Sequence, residues 1–341
     1  MPLTLTIDRA RWASHQRGLI QEVPGLVPVA KGNGYGFGLG LLAEQAKELE
    51  LTTLAVGIAQ EVAEVRAGGW DGDIVVLNPW RPFDAAATIA LNDPQVIVTV
   101  SRAEDLHELA ERQPRVRVLL EIETSMHRHG LHPREVNAND LARVRFEGWA
   151  VHLPATGSLA EATSLAQAGL EVTIGPVWLS HLSVDDYRRL HADLGVETRM
   201  RVGTRLWLGD KDAYHTTGTV LDVHPVRKGE PLGYHQTKAP RDGHILVISG
   251  GTAHGVAMAA PVPQRSLRQR AVTAAEGFLQ ATGRSLSPYE VGGRKRDFAE
   301  PPHMHSSMLF VPGADPHVRV GDEVPVTTRM TTVTVDEVRW A

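Results

Sequence analysis

The feature that most limits how this chain can fold is a regular alternation over its first two-thirds. Short β-branched apolar runs recur at 27–30, 53–57, 73–77, 95–100, 115–122, 145–151 and 172–179, with another centred on 200–208. Helix-like patterns fill the gaps at 41–49, 60–67, 82–91, 102–111, 138–144, 158–168 and 184–194. Ser101 and Ser183 stand where N-caps belong, each followed by acidic residues in the next turn. Repeated strand–helix units place strands parallel and cover their sheet with helices. About eight such units are enough to close a (β/α) barrel of TIM type. An open doubly wound sheet is the alternative. No Gly-x-Gly-x-x-Gly opens a helix after the first strand, so the dinucleotide-binding version of that fold lacks support.

After about residue 210 the texture changes. Valine, threonine, glycine and proline rise, and strand-like runs appear at 217–223, 244–249, 307–311, 323–328 and 331–338, with a helical pattern near 266–282. The expected organisation is a barrel over 10–210 and a mostly β unit over 211–341, with 1–9 as a strand that joins the second unit. The chain is acidic overall, at net charge -5, so no global basic field exists to hold nucleic acid. Arg294-Lys295-Arg296 is too short a run to change that and reads as a solvated turn. No cysteine is present, which excludes disulfides and thiolate metal sites and permits a cytosolic setting. No basic-then-apolar leader opens the chain and no apolar stretch is long enough to span a bilayer, so a cytoplasmic protein is expected. Sixteen histidines make polar or metal chemistry worth pursuing.

In such a barrel, chemistry gathers at the carboxyl ends of the strands. The first run ends Val27-Pro-Val-Ala-Lys31 and passes into Gly-Asn-Gly-Tyr35-Gly-Phe-Gly38. A lysine at the end of a buried strand sits in a partly dry place, which lowers its pKa and favours the free amine. A free amine forms Schiff bases with aldehydes. The glycines at 32, 34, 36 and 38 let the backbone approach a ligand closely. Later strand ends carry Arg128 in Met126-His-Arg-His-Gly130, His152 after Gly148-Trp-Ala-Val, Ser180 and Ser183 around His181, and Arg201 in Arg199-Met-Arg-Val-Gly203-Thr204.

The order Lys-x-Asn-x-Tyr-Gly resembles the pyridoxal-phosphate lysine motif of the alanine racemase family, which usually reads Lys-Ala-Asn-Ala-Tyr-Gly. Arg201-Val-Gly203-Thr204-Arg-Leu-Trp-Leu-Gly209 is similar to that family's Arg-x-Gly-x-x-Leu-Tyr-Gly, with one extra residue. Arg128 matches the arginine of Thr-Gly-Met-x-Arg-x-Gly. The resemblance implies that Lys31 carries pyridoxal 5'-phosphate covalently and serves as one base. It implies that Tyr35, Gly203 and Thr204 hold the phosphate, and that Arg201 faces the pyridine nitrogen. Arg128 would contact the phenolic oxygen and the substrate carboxylate, and His152 would lie against the ring. The family's phosphate-binding serine sits in an Asn-Ser pair that is missing here, so Ser180 and Ser183 both remain candidates. A homodimer whose site is completed across subunits is implied too.

The chain departs from the family at two places. The acid–base tyrosine of Gly-Tyr-x-Asp-Gly is replaced by Thr252 in Gly251-Thr-Ala-His254-Gly255. A threonine hydroxyl is far too weak an acid to stand in. His254 and Tyr234 are then the candidates for the second base. The family's Met-Asp pair becomes Met304-His305, with His303 in front. On a strand His303 and His305 would share a face and could share a divalent metal. The expected function is Cα proton abstraction from a cofactor-bound amino acid, giving racemisation or epimerisation. A metal-assisted lyase acting on a D-hydroxy amino acid is the alternative. A non-catalytic pyridoxal-phosphate-binding relative is the third reading.

Overall fold

The computed structural model describes residues 2–258 and 285–341. The helix expected near 266–282 lies outside the described residues. The chain divides into two compact units, Ala13–Asp210 and Met1–Trp12 with Lys211–Ala341.

The chain opens with β1 (Leu3–Ile7), which belongs to the second unit. The first unit then supplies β2 (Leu26–Pro28), β3 (Thr53–Val56), β4 (Asp73–Val76), β5 (Val96–Val100), β6 (Arg117–Ile122), β7 (Arg145–Val151), β8 (Val177–Leu179) and β9 (Thr198–Val202). All pair in parallel in the order β2-β9-β8-β7-β6-β5-β4-β3. A parallel bridge from Val29 to Ala55 joins the two ends of that path, with Ala30 N–H donating to Ala55 O at 2.8 Å. This is the barrel expected from the alternation.

The core follows from period-two alternation along these strands. Val27, Val29, Ala55, Val75, Ile97, Leu119, Ala150 and Trp178 form one buried apolar cluster. Two residues further along each strand, on the same face, come Lys31, Gly57, Leu77, Thr99, Glu121, His152 and Ser180. An apolar layer is therefore capped at its carboxyl end by a mostly polar one. Arg201 is register-paired with Val27 and so shares the inward face.

Two boundaries differ from expectation. The helix expected over 158–168 runs over Leu159–Val172, and the following strand is confined to Val177–Leu179. Gly169 does not end that helix. A Cβ there would meet the Trp149 ring at 2.8 Å, so the glycine is a packing site inside the helix. The last run divides into β9 and a short helix, Thr204–Leu208, with Gly203 between them. The helix Arg9–Glu22 was not expected.

In the second unit follow β10 (Tyr214–Val226), the β11–β12 hairpin (Pro231–Leu232, Thr237–Lys238), β13 (Gly243–Ser249), β14 (Leu286–Val291), β15 (Arg294–Phe298), β16 (Ser306–Pro312), β17 (Glu323–Pro325) and β18 (Glu337–Trp340). The main sheet runs β14-β15-β16-β13-β10-β1-β18, with β17 also on β10. Leu3, Leu5 and Ile7 of β1 are fully buried. Arg294-Lys295-Arg296 lies on β15 and is not a turn. The turn is Gly292-Gly293, at φ 60 and 69, as a two-residue hairpin connection requires. Of the run expected over 331–338, only its end is strand. Among the described residues, no helix is long and apolar enough to cross a membrane.

Candidate active site

Lys31 stands just past β2. Its side chain reaches solvent, yet surrounding protein desolvates the amine enough to lower its pKa. Arg128 and then Arg201 add positive charge in the same direction, while Glu61 opposes them. Glu61 was missed in the sequence. Its carboxylate accepts from Gly32 N–H (2.6 Å), Gly57 N–H (2.6 Å) and Ile58 N–H (3.2 Å). It thereby clamps the turn after Lys31 to the end of β3. The signal was an acid at the start of a helix, four residues after a strand-end glycine.

The glycine-rich turn places Tyr35 in the left-handed region at φ 55, with its side chain buried. Its hydroxyl bonds to the side chain of Thr204, and burial pushes its pKa up to about 12. Gly203 is required here, because a Cβ would stand 2.0 Å from the Tyr35 hydroxyl. Trp207 Nε1 donates to Val29 O at 2.8 Å and ties the Thr204–Leu208 helix to the end of β2. Tyr35, Gly203 and Thr204 are thus brought together.

Arg201 is buried, donating from Nη2 to Val151 O (3.2 Å) and from Nε to Leu179 O (3.5 Å). Burial lowers its pKa to about 10, against the opposing pull of Glu121. Glu121 is the second residue the sequence reading missed. It is 4% exposed and its Oε2 has no hydrogen-bond partner among the described residues. Burial raises its pKa, with Arg201 and then Arg128 opposing. An acid two residues after core Leu119, within the apolar run 118–122, was the available signal. Arg128 is exposed and lies close enough to Lys31, Glu121 and His152 to perturb all three.

His152 bonds Ser180 through Nδ1 at 2.8 Å and meets the His181 ring edge-on at 5.2 Å. Burial, followed by Arg201 and Arg128, lowers its pKa to about 3, so the ring is neutral at ordinary pH. Ser180 is therefore inside the polar layer. Ser183 caps the helix Val184–Asp193, accepting from Asp186 N–H at 3.1 Å.

The second unit holds the remaining candidates. His254 is buried, and both of its ring nitrogens are engaged. Nδ1 accepts from Gly251 N–H at 3.2 Å, which leaves the proton on Nε2 to donate to Asp336 Oδ2 at 3.0 Å. It holds a turn against the chain end and has no lone pair to offer as a base. His303 and His305 precede β16 and do not lie on a strand. His303 Nε2 bonds Glu300 Oε1 at 2.7 Å, whereas His305 packs edge-on against His254 at 5.8 Å. The expected shared metal pair is corrected accordingly, and no cluster of three or more metal-ligating side chains occurs among the described residues. Tyr234 is 82% exposed, on the turn between β11 and β12.

An amine, two guanidiniums, a neutral imidazole and a buried acid lie at the carboxyl ends of a (β/α) barrel that is followed in the chain by a β unit. Residues 7–174 match the family model described as alanine racemase, N-terminal domain. An alanine racemase of Desulfovibrio desulfuricans is 30% identical over 182 residues, 48% of this chain and 49% of that protein. The chain thus spans about half the length of that relative. One from Corynebacterium efficiens is 27% identical over 289 residues, 76% of this chain and 77% of the other. A solved alanine racemase from Bartonella henselae, with covalently bound pyridoxal phosphate, superposes with TM-score 0.73 at 17% identity, covering 100% of both chains. Residues 7–174 thus belong with the alanine racemase N-terminal domain family.

Proposed function

We propose that this protein is a pyridoxal-phosphate-dependent racemase or epimerase of amino acids. The observation that carries the reading is the convergence at the carboxyl ends of the barrel strands of Lys31, Arg128 and Arg201 with the close-packed Tyr35–Gly203 cradle.

The residues present fit the cofactor. The Tyr35 hydroxyl fills the space a Cβ at position 203 would take, making a cradle lined by phenol, threonine hydroxyl and backbone. Because its pKa is raised, Tyr35 stays protonated and donates to an anion. We assign the phosphate to Tyr35, Gly203 and Thr204, the pyridine nitrogen to Arg201, and the flank of the ring to His152. Bound pyridoxal phosphate supplies an electron-withdrawing ring that stabilises negative charge at the Cα of an attached amino acid.

The chain's own residues do the rest. Lys31 Nζ, whose pKa desolvation and then Arg128 lower, takes a proton from one face of Cα and returns it. Arg128 pairs with the substrate carboxylate, for which its planar fork is suited. Arg201 remains cationic at neutral pH, and a cation at the pyridine nitrogen keeps that nitrogen from binding a proton. The electron demand on Cα is then moderate, which favours simple proton transfer over elimination. Racemisation needs a second acid–base group on the opposite face, and we assign it to the β unit of a second copy of the chain in a homodimer.

The test is incubation of purified protein and cofactor with L- and D-amino acids in deuterated water. A visible cofactor absorbance, a borohydride-fixed adduct on Lys31, and Cα deuterium uptake with inversion support the reading. A colourless protein without adduct overturns it.

A further inference from the structure

We propose that His303, held by the buried carboxylate of Glu300, is the second acid–base group of the reaction, delivered by a second copy of the chain to the face of Cα opposite Lys31. The inference rests on the racemase reading above and identifies the group which that reading leaves unnamed.

By the resemblance, Thr252 takes the place of the family's tyrosine. His303 is built onto the same turn. Its carbonyl accepts from Thr252 N–H at 2.8 Å and lies 3.5 Å from the Thr252 hydroxyl. The two segments are so close that a Cβ on Gly251 would meet that carbonyl at 2.1 Å. A side chain leaving position 303 therefore starts beside the position the tyrosine would occupy.

The imidazole is held for proton transfer. Glu300 has a side chain only 2% exposed, and His303 Nε2 lies 2.7 Å from its Oε1. Its other oxygen accepts from Tyr234 N–H at 2.7 Å. Gly233 makes room for this, since a Cβ there would sit 2.1 Å from the Glu300 carboxyl carbon. A carboxylate accepts and does not donate, so His303 carries its proton on Nε2 and its lone pair on Nδ1. Nδ1 has no hydrogen-bond partner among the described residues, and the side chain is 31% exposed. The Tyr234 ring flanks it at 5.0 Å. When Nδ1 takes a proton, Glu300 neutralises the resulting imidazolium, the task a buried acid performs for a catalytic histidine. His254 lacks a free nitrogen, and among the described residues no acid holds His305 in this way.

In one direction the Cα–H bond breaks, its electron pair stays on the substrate, and the proton passes to His303 Nδ1. Lys31 Nζ then gives a proton to the opposite face and a new Cα–H bond forms. Both groups re-equilibrate with water, so nothing is oxidised and no proton is consumed.

Glycine separates the two faces without requiring a side-chain pocket. The holoenzyme is incubated with glycine in deuterated water, and exchange of the pro-R and pro-S hydrogens is followed separately by NMR after chiral derivatisation. Wild type should exchange both. His303→Gln should exchange one at the wild-type rate and the other at least roughly 100-fold more slowly, the usual contribution of a general base. Glu300→Gln should slow that same hydrogen by about 10-fold, and imidazole added to His303→Ala should restore its exchange. Equal exchange of both hydrogens in His303→Gln, or exchange of only one in wild type, overturns the assignment and leaves the cofactor reading standing. Exchange of neither hydrogen in wild type overturns the racemase reading itself.

Discussion

Position 203 tolerates no side chain while Tyr35 keeps its place. Gly203→Ala sets a methyl 2.0 Å from the Tyr35 hydroxyl and 2.8 Å from its Cζ. We expect cofactor affinity to fall at least about 10-fold, roughly 1.4 kcal/mol, read by titration of the visible absorbance. Adding Tyr35→Phe removes the nearer atom only, so the rescue should be partial. Lys31→Ala should abolish the borohydride-fixed mass increase and lower racemisation by roughly 100-fold or more. The residues of this site were unevenly legible. Lys31, Tyr35, Arg201 and Gly203 form sequence-local patterns that a glycine-rich turn makes visible. Glu121 and Glu61 do not, because Glu121 matters through Arg201 and Glu61 through Gly32 and Lys31, partners far along the chain. His254 is a residue type that often serves as a base, but a backbone N–H and Asp336 use both nitrogens, and no sequence spacing predicts that.

At the scale of elements, Ser180 and Ser183 separate cleanly. Ser183→Ala removes a helix cap, so it should cost about 1 kcal/mol of stability and leave cofactor binding unchanged, measured by urea unfolding and absorbance. Ser180→Ala should do the reverse, disturbing His152 with little loss of stability. Glu61→Gln should loosen the turn after Lys31 and remove the one charge that raises its amine pKa. Lys31 in the apoprotein should therefore be trapped by an aldehyde and borohydride at lower pH than in wild type. The barrel strands were legible because β-branched runs and helical spacing contrast strongly. The Arg9–Glu22 helix was not. Its buried positions 12, 13, 16 and 19 include Gln16, which blurs the apolar stripe. Asp8, whose carboxylate accepts from Arg11 N–H at 2.9 Å, was the cap that marked it. The Gly292-Gly293 hairpin was hidden by its cationic neighbour β15, whose charges face outward along a strand.

For the molecule as a whole, acid should weaken the apo fold through His152. Its pKa falls from 6.5 to about 3 on folding. Between those values the unfolded chain binds more protons, so stability is full above pH 6.5 and is lost as pH drops toward 3. The slope from this one group is at most about 1.4 kcal/mol per pH unit, and His152→Gln should flatten the unfolding midpoint across that window. The second unit's sheet was only partly legible, because β1 and β18, from opposite ends of the chain, meet in it.

Apart from the Glu61 clamp, the barrel's backbone is buttoned between β2 and β3 by one bridge, from Val29 to Ala55, two residues short of Lys31. Everywhere else its staves are held by two or more rungs. A wall fastened so sparingly is where breathing should begin. The amide of Ala30 ought to trade its hydrogen for deuterium well before those of Val98 or Leu120, and the reactive amine would then sit on the hinge side of the molecule's loosest seam.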